Sequence, residues 1–267
     1  MSTAGAEGGT GYSQSLERGL LILSAFRSGQ PQLGVSELGR EVCLSRSTAH
    51  RYVATLATLG YLQQDEETKK YRLGPRVLDL GFSAINSMEV REVAAPHLRR
   101  LSDATGFTVN MAILDGNDIV YVERCRNTRP GQREIDLDLH VGSRLPAYCT
   151  SLGKVLLAHL SQPVQDAVLE GIEFSRRGPN TITSRRALIA ELARVREQGF
   201  ALNNEELAYG LRSIAAPVFD FRGDAVAAVN LAVHSSMVSM QDLVARLGET
   251  LRRSAAEISA HLGYQPI

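Results

Sequence analysis

The sequence predicts an α+β protein made of two domains. Residues 35–73 contain two short helical patterns joined by a few residues and followed by an alternating segment, which is the outline of a winged helix-turn-helix. From residue 107 the spacing of apolar residues changes from helical to alternating, and helices flank the predicted strands, as in an α+β domain with a meandering sheet. A chain of 267 residues is long enough for both domains.

The N-terminal domain begins with a predicted helix over 15–26, where apolar residues repeat along one face. The next helix is predicted to start at Ser36, whose hydroxyl can cap the free amides of the first turn, and Glu37 favours the positive end of the helix dipole. Leu38 and Val42 lie four residues apart and therefore share the apolar face of this second helix.

The third helix is predicted to begin after Ser45, whose hydroxyl can accept a hydrogen bond from the amide of Ser47 or Thr48. Gly60 lies where a C-terminal glycine ends a helix. The apolar stripe predicted between these two ends consists of Ala49, Tyr52, Leu56 and Leu59.

The opposite face of the third helix carries the residues that predict DNA binding. Arginine can form bidentate hydrogen bonds with guanine edges or phosphates, and small hydroxyls reach bases or phosphate oxygens. A solvated polar face on an ordinary helical hairpin is the alternative, but a basic β-hairpin follows at 61–73, as expected for a wing that contacts phosphates. The candidate DNA-contacting residues are Ser36, Ser45, Arg46, Ser47, Thr48, His50, Arg51, Lys69, Lys70 and Arg72.

Residues 77–85 predict a linker helix with an apolar stripe that few polar residues interrupt. A single domain of this size would leave much of that stripe uncovered, so the pattern predicts contact with a second copy of the chain. The predicted organisation is a disordered tail at 1–12, a winged helix-turn-helix domain at 13–76, a linker helix at 77–91 and a second domain at 92–267.

The second domain is predicted to alternate helices with short strands. Its strands 108–114 and 119–124 form a hairpin around the Asp115-Gly116 turn, because their β-branched content and the turn residues fit one. The helix at 185–198 is predicted to be capped by Thr183 or Ser184 and ended by Gly199. The remaining predicted elements are a helix at 93–105, a weaker strand at 132–139, a helix at 151–160, strands at 213–219 and 225–233, and a helix at 239–262.

Composition excludes several classes of protein. The net charge is zero, so any nucleic-acid site must be local. Neither the three cysteines nor the histidines have metal-ligand spacing, so we expect no metal and no disulfide framework. The apolar runs are too short to span a bilayer, which predicts a cytoplasmic protein without a membrane partner. Ser151 and Lys154 match the S-x-x-K motif of penicillin-recognising enzymes, but the accompanying S-D-N and K-T-G motifs are absent.

Several blocks of sequence together resemble the IclR family of bacterial transcription regulators. The first group is Glu17-Arg18-Gly19-Leu20 with Leu23, Ser36-Glu37-Leu38, Leu44 to Arg51, Leu59-Gly60-Tyr61 and Tyr71 to Gly74. The second group is Gly142 to Ala158, Asn204 to Leu207 and Gly210 to Val218. The blocks occur in the family's order and extend over residues 14–262, nearly the whole chain.

This resemblance implies a winged helix joined by a linker helix to a GAF-like α/β effector-binding domain. It implies a protein that forms dimers or tetramers, has no catalytic activity and no cofactor, and binds double-stranded operator DNA under the control of a small carboxylic acid. The wording of residues 144–158 is similar to the subgroup that controls aromatic-acid catabolism, in particular the protocatechuate branch of the β-ketoadipate pathway.

The resemblance also implies where the effector binds. Carried over position by position, the pocket consists of Tyr148, Cys149, Thr150, Ser151, Asn203, Leu211, Ser213, Asn230 and Ala232. The start of the 151–160 helix is also a plausible effector site on physical grounds, because the free amides at a helix N-terminus bind carboxylates. The alternative is that Thr150 and Ser151 only cap that helix. Asn203 is neutral where some members of the family carry an acid.

Two functions of different class remain open at this point. One is a ligand-responsive regulator that binds operator DNA. The other is a GAF-like sensor or enzyme whose helix-turn-helix serves protein contacts. Sequence-specific and salt-sensitive DNA binding distinguishes them.

Overall fold

The computed structural model describes residues 12–27, 29–86, 88–127 and 137–266. The predicted disordered tail at 1–12 and the predicted strand at 132–139 lie largely outside these ranges, and the described residues 137–139 form no strand. The chain divides into two compact units, Met1–Ser87 and Met88–Ile267. No helix in the described part of the chain is both long enough and apolar enough to cross a bilayer.

The first unit is a helical domain with a small hairpin. Its helices are α1 (Gln14–Ser24), α2 (Val35–Glu41), α3 (Arg46–Thr58) and α4 (Arg76–Asn86), and strands β1 (Leu62–Gln64) and β2 (Tyr71–Leu73) form the antiparallel hairpin between α3 and α4. The core of this unit centres on the fully buried Ile22, Leu38 and Val53. This is the winged helix-turn-helix predicted from the sequence.

Two local predictions in this unit are wrong. Helix α2 begins at Val35, and its N-cap is Gly34, whose amide donates to the Glu37 carboxylate at 2.6 Å; Ser36 instead lies in the first turn. Leu59, predicted to lie on the apolar stripe of α3, is exposed. Tyr52 and Leu56 are half-buried and pack against the core, as predicted, but the fully buried residues of the helix are Ala49 and Val53, which follow one another by four residues.

The second unit has three layers. Helix α5 (Glu89–Thr105) begins four residues before its predicted start and is followed by strands β3 (Thr108–Asp115), β4 (Asp118–Cys125) and β5 (Arg144–Pro146). Next come helices α6 (Ser151–His159), α7 (Gln162–Glu170) and α8 (Arg185–Gln198), and then strands β6 (Ala201–Asn204), β7 (Leu211–Phe219) and β8 (Ala225–His234). The six strands form one antiparallel sheet in the order β5-β4-β3-β8-β7-β6.

The C-terminal helix is interrupted rather than continuous. Helix α9 (Met240–Asp242) is capped by Ser239, a wider π-helical turn covers Leu243–Leu247, and α10 (Gly248–His261) follows. The prediction of one helix over 239–262 therefore has the right extent but misses the interruption. Sequence analysis also missed β5, β6 and α7.

Each face of the sheet packs against its own set of helices. Side chains of a strand alternate between the two faces, so Val229 and Leu231 of β8 pack toward α5 and α10, whereas Ala228 belongs to the core on the α6 side. Helix α8 packs on α6. Three polar residues of the strands, Asn110, Ser213 and Asn230, lie on this α6 side, where they line a cavity.

Candidate functional site

The N-terminus of α3 presents a connected set of hydroxyl groups. Ser45 is the N-cap, as predicted: its Oγ accepts a hydrogen bond from the Thr48 amide at 3.2 Å. The same Oγ donates to Thr48 Oγ1 at 2.9 Å and lies 3.1 Å from Ser47 Oγ. Because these hydroxyls hold one another, they offer an ordered polar surface at the positive end of the helix.

The predicted recognition residues of α3 lie together on its surface. Arg46, Ser47, His50 and Arg51 are exposed, and Thr48 is half-buried. The guanidinium carbon of Arg51 lies 5.9 Å from the centre of the Tyr52 ring. The exposed face of α3 therefore carries both cationic and hydroxyl donors, which is the chemistry that reads base edges and phosphates.

Close packing holds α2 against α3. A Cβ placed on Gly39 would lie 3.0 Å from the Leu44 carbonyl oxygen and 3.4 Å from Ala49 Cβ. The turn between the helices passes through Cys43, which has a left-handed φ of 54°. Small residues at 39 and 49 thus allow the two helices to approach each other, and this fixes the orientation of α3.

The hairpin β1–β2 has an ordered tip. The Asp65 carboxylate accepts hydrogen bonds from the amides of Glu67 and Thr68 and from the Thr68 hydroxyl. These bonds hold the pKa of Asp65 below its usual value, and the bond from the Thr68 amide has the largest effect. Of the predicted wing residues, Lys69 and Arg72 are exposed. Lys70 Nζ instead lies 3.6 Å from Glu37 Oε2, so it links the wing to α2.

The second unit contains a cavity on the α6 face of its sheet, referred to below as the ligand cavity. It encloses about 760 Å³ of empty space, a volume that includes its open mouth. Its lining comprises Phe107, Thr108, Asn110, Tyr121, Arg124, Asn127, Leu137, Leu139, Thr150, Ser151, Asn203, Leu207, Leu211, Ser213, Asn230, Ala232, Val233, His234 and Met237.

Seven of the nine residues predicted to bind the effector line this cavity, and two do not. Those that line it are Thr150, Ser151, Asn203, Leu211, Ser213, Asn230 and Ala232. Tyr148 lies elsewhere because its hydroxyl bonds to the Ser175 carbonyl at 2.7 Å and its ring packs edge-on against Phe174. Cys149 is fully buried with Sγ toward the Pro146 carbonyl, and burial raises the pKa of its thiol to about 12.

The start of α6 forms one wall of the ligand cavity. Thr150 is the N-cap, and its Oγ1 accepts a hydrogen bond from the Gly153 amide at 3.0 Å. Ser151 does not cap the helix; its Oγ lies 2.7 Å from Ser213 Oγ on β7. The amides of Ser151 and Leu152 belong to the first turn and so have no acceptor within the helix.

The opposite wall carries a line of polar side chains across three neighbouring strands. Arg124 Nη1 donates to Asn110 Oδ1 at 2.8 Å, and Asn110 Nδ2 donates to Asn230 Oδ1 at 2.8 Å. The register places Asn110 of β3 opposite both partners. Sequence reasoning missed Arg124 and Asn110, although an asparagine within an apolar strand was a visible signal of a polar wall.

The described lining of the ligand cavity carries a positive charge. Among its described lining residues Arg124 carries a permanent positive charge, and there is no carboxylate. The first turn of α6 adds the positive end of a helix dipole. Such a lining favours an anionic ligand.

A buried ion cluster lies behind the α6 wall. Lys154, which is 1% exposed, places Nζ 2.6 Å from Glu206 Oε1 and 3.2 Å from Glu191 Oε1. Burial raises the pKa of Glu206, although Lys154 acts in the opposite direction. The Glu206 amide donates to Asn203 Oδ1, and Asn203 Nδ2 donates to the Cys149 carbonyl at 2.6 Å. The cluster thus fixes Asn203 at the cavity wall.

The described residues contain no group of three or more histidine, cysteine, aspartate or glutamate side chains that could hold a metal ion.

Two family models match the chain. The IclR helix-turn-helix domain matches residues 15–66, and the C-terminal domain of the bacterial transcriptional regulator IclR matches residues 82–260. The chain belongs to the IclR family. It is therefore a transcriptional regulator and not an enzyme, as the resemblance predicted.

Relatives of the chain within the IclR family share most of its length. The transcriptional regulator XynR of Escherichia coli is 37% identical over 94% of this chain and 98% of its own length. The Pca regulon regulatory protein of Pseudomonas putida is 35% identical over 94% of this chain and 84% of its own. The presence of the second among the relatives supports the predicted similarity to the aromatic-acid subgroup.

Solved structures of the IclR family match the fold. A transcriptional regulator from Rhodococcus sp. RHA1 is 40% identical with a TM-score of 0.80, covering 94% of this chain and 98% of that one. An IclR homologue from Microbacterium hydrocarbonoxydans, crystallised with 4-hydroxybenzoate, is 28% identical with a TM-score of 0.79, covering 93% of this chain and 98% of that one.

Proposed function

We propose that this IclR-family regulator responds to a small aromatic carboxylic acid of the protocatechuate and 4-hydroxybenzoate type. The observation that carries the proposal is the ligand cavity, whose described lining holds Arg124 and the first turn of α6 but no carboxylate. The complex of the Microbacterium hydrocarbonoxydans homologue with 4-hydroxybenzoate and the kinship with the Pca regulon regulatory protein support the same class of effector.

The proposed ligand spans the cavity from its charged wall to its apolar wall. The carboxylate interacts with the Arg124 guanidinium or with the amides of the first turn of α6, since both are strong donors to an anion. The ring packs against Leu137, Leu139 and Leu211. Ring hydroxyls find partners in Ser213 and Asn203, which carry donor and acceptor groups.

The same proposal assigns operator binding to α3 and the wing. The first turn of α3 and its exposed face enter the major groove, with Arg46, His50 and Arg51 as base or phosphate contacts. Lys69 and Arg72 contact phosphates from the wing, and Lys70 supports the wing through Glu37. A DNA-binding regulator of this kind acts in the bacterial cytoplasm, where its operator lies.

We further propose that the protein works as a dimer or a higher oligomer. Helices α1 and α4 of the first unit expose large apolar side chains, whose exposed fractions are 64% for Leu16, 55% for Leu20, 60% for Leu78 and 57% for Leu80. Exposed apolar residues on two helices mark an association surface, and a two-fold dimer suits a palindromic operator. The side chains of Phe82 and Ile85, part of the predicted stripe, lie outside the described set.

Calorimetry of the full-length protein tests the proposed effector. The titrants are protocatechuate, 4-hydroxybenzoate, β-ketoadipate and acids of two to four carbons. We expect one of the aromatic acids to bind, and Arg124→Gln to weaken it by roughly tenfold or more, because a hydrogen bond to a charged group contributes ~1.5–3 kcal/mol. Ser151→Leu should abolish the heat of binding, because the larger side chain fills the cavity beside the start of α6.

Arg222→Gln is the matched control, because Arg222 lies 63% exposed in the turn between β7 and β8. It should bind the acid as the unaltered protein does. If no aromatic acid binds, the effector class is wrong. If an aromatic acid binds equally to the Arg124→Gln and Ser151→Leu proteins while both remain folded, the ligand cavity is not its site.

A further inference from the structure

A second concave site lies on the face of the sheet opposite the ligand cavity. Helices α5 and α10 pack side by side there, and a groove between them is lined by His97, Arg100, Leu101, Ala104, Thr250, Arg253, Ser254 and Glu257. The four residues of α10 recur at intervals of three and four and so form one stripe. This site is called the α5–α10 groove below.

The α5–α10 groove carries two arginines that are not paired with carboxylates. Neither Arg100 nor Arg253 forms an ion pair with any described acidic residue, and Arg100 Nη2 instead lies 3.0 Å from His97 Nδ1. The one carboxylate of the groove, Glu257, places Oε2 3.2 Å from the same His97 nitrogen. With the imidazole neutral, two guanidinium groups and one carboxylate leave an excess of one positive charge.

Buried polar groups point to the same chemistry. Ser254 is only 8% exposed, and its hydroxyl has no hydrogen-bond partner among the residues that the structure describes. The hydroxyl is not among the fully buried unpaired groups, so it is open to the groove, where a ligand or water can form a hydrogen bond with it. His97, at 6% exposure, and the Thr250 hydroxyl flank it. Hydroxyl and guanidinium donors from two helices therefore converge on one space.

We propose that the α5–α10 groove binds a phosphate group, either inorganic phosphate or the phosphate of a small metabolite. Two guanidinium groups and two hydroxyls match the several acceptor oxygens of a tetrahedral oxyanion, and arginine bonds phosphate in a bidentate manner. The groove holds about 490 Å³ of empty space including its mouth. Leu101 and Ala104 provide an apolar side for the organic part of a phosphate monoester. The site is separate from the ligand cavity and needs none of its residues.

The test measures anion binding by calorimetry and melting temperature on the full-length protein. Potassium phosphate and glycerol phosphate are compared with potassium chloride at equal pH and ionic strength. We expect phosphate to bind and to raise the melting temperature, and chloride to do neither. Tighter binding of the monoester would identify a metabolite as the source, and equal or weaker binding would identify inorganic phosphate.

Variants localise the binding. Arg100→Gln and Arg253→Gln should each weaken phosphate binding by roughly tenfold or more, since each removes a charge-assisted interaction. Arg252→Gln is the matched control: it is the neighbouring arginine of α10, pairs with Glu249 at 2.8 Å and does not line the groove. It should bind phosphate normally, and so should Ser151→Leu, whose change lies in the ligand cavity.

Three results would overturn the proposal. Equal effects of phosphate and chloride would mean ordinary screening. Loss of phosphate binding in Ser151→Leu, with binding kept in Arg253→Gln, would place the anion in the ligand cavity. Dissociation of an oligomer by Arg253→Gln, without any phosphate binding to the unaltered protein, would make the groove a contact between copies of the chain.

Discussion

Arg51 combines three properties of a base-reading residue. It is exposed, it lies on the same surface of α3 as Arg46, Ser47 and His50, and its backbone is held by the helix, where its carbonyl accepts a hydrogen bond from Thr55 Oγ1 at 2.9 Å. Its side chain makes no described ion pair within the protein. Removing the Arg51 side chain should therefore weaken DNA binding more than it lowers the stability of the fold.

We predict that Arg51→Ala weakens specific operator binding by about 1–3 kcal/mol if Arg51 contacts a base. Fluorescence anisotropy with an operator selected from random DNA measures the affinity, and the melting temperature should change little. Arg222→Ala, in the second unit, serves as the control. Unchanged affinity would remove Arg51 from the recognition surface, and a large fall in melting temperature would assign it a structural role.

Among single residues, those at the start of α6 could be predicted from the sequence, and Arg124 and Asn110 on the opposite wall, which is made by paired strands, could not. Thr150 and Ser151 follow from the start of one helix, and both line the cavity. Arg124 and Asn110 meet only because β3 and β4 pair in one particular register, which no local pattern reveals. Tyr148 points away because a 3₁₀ turn at Ala147–Cys149 precedes the helix, so neighbours in sequence face different surroundings.

Helix α6 depends on a glycine at its third position. A Cβ on Gly153 would lie 2.2 Å from the Ala147 carbonyl oxygen, a contact with backbone that cannot move cheaply. Gly248 at the start of α10 is also buried, but its Cβ would meet the end of the Ile214 side chain at 3.3 Å and the Leu243 carbonyl oxygen at an ordinary 3.9 Å. These two glycines form a matched pair.

We predict that Gly153→Ala destabilises the protein by about 1–3 kcal/mol through overpacking, despite the better helix propensity of alanine. Gly248→Ala should stay within about 1 kcal/mol of the unaltered protein, because the Ile214 side chain can shift. Urea denaturation monitored by circular dichroism gives both values. Equal stabilities of the two variants would show that the turn before α6 is not tightly constrained.

At the element scale, long segments with clear periodicity were predictable, and short ones were not. Helices α3, α6 and α8 and the hairpin β3–β4 carry caps, glycine stops or strong alternation. Strands β5 and β6 have three and four residues and no pattern of their own, so pairing with β4 and β7 defines them. The π-helical turn at Leu243–Leu247 contains no glycine or proline, so no local breaker predicts it.

Association is predicted at the scale of the whole molecule. Leu20→Glu on α1 and Leu78→Glu on α4 each put a charge on an exposed apolar surface, so each should shift the protein toward monomer without loss of the folded unit. Sedimentation at micromolar concentration measures this, with Val164→Glu on the exposed side of α7 as the control. A monomeric unaltered protein that still binds operator would contradict the prediction.

In the proposed function, a ligand in the cavity of the second unit changes operator binding by the first. The direct measurement is operator affinity with and without a saturating aromatic acid, repeated as acid affinity with and without operator. The two factors must be equal by linkage, with a coupling of typically ~1–3 kcal/mol, and Ser151→Leu should remove both. If the acid binds but operator affinity is identical with and without it, the cavity does not control DNA binding.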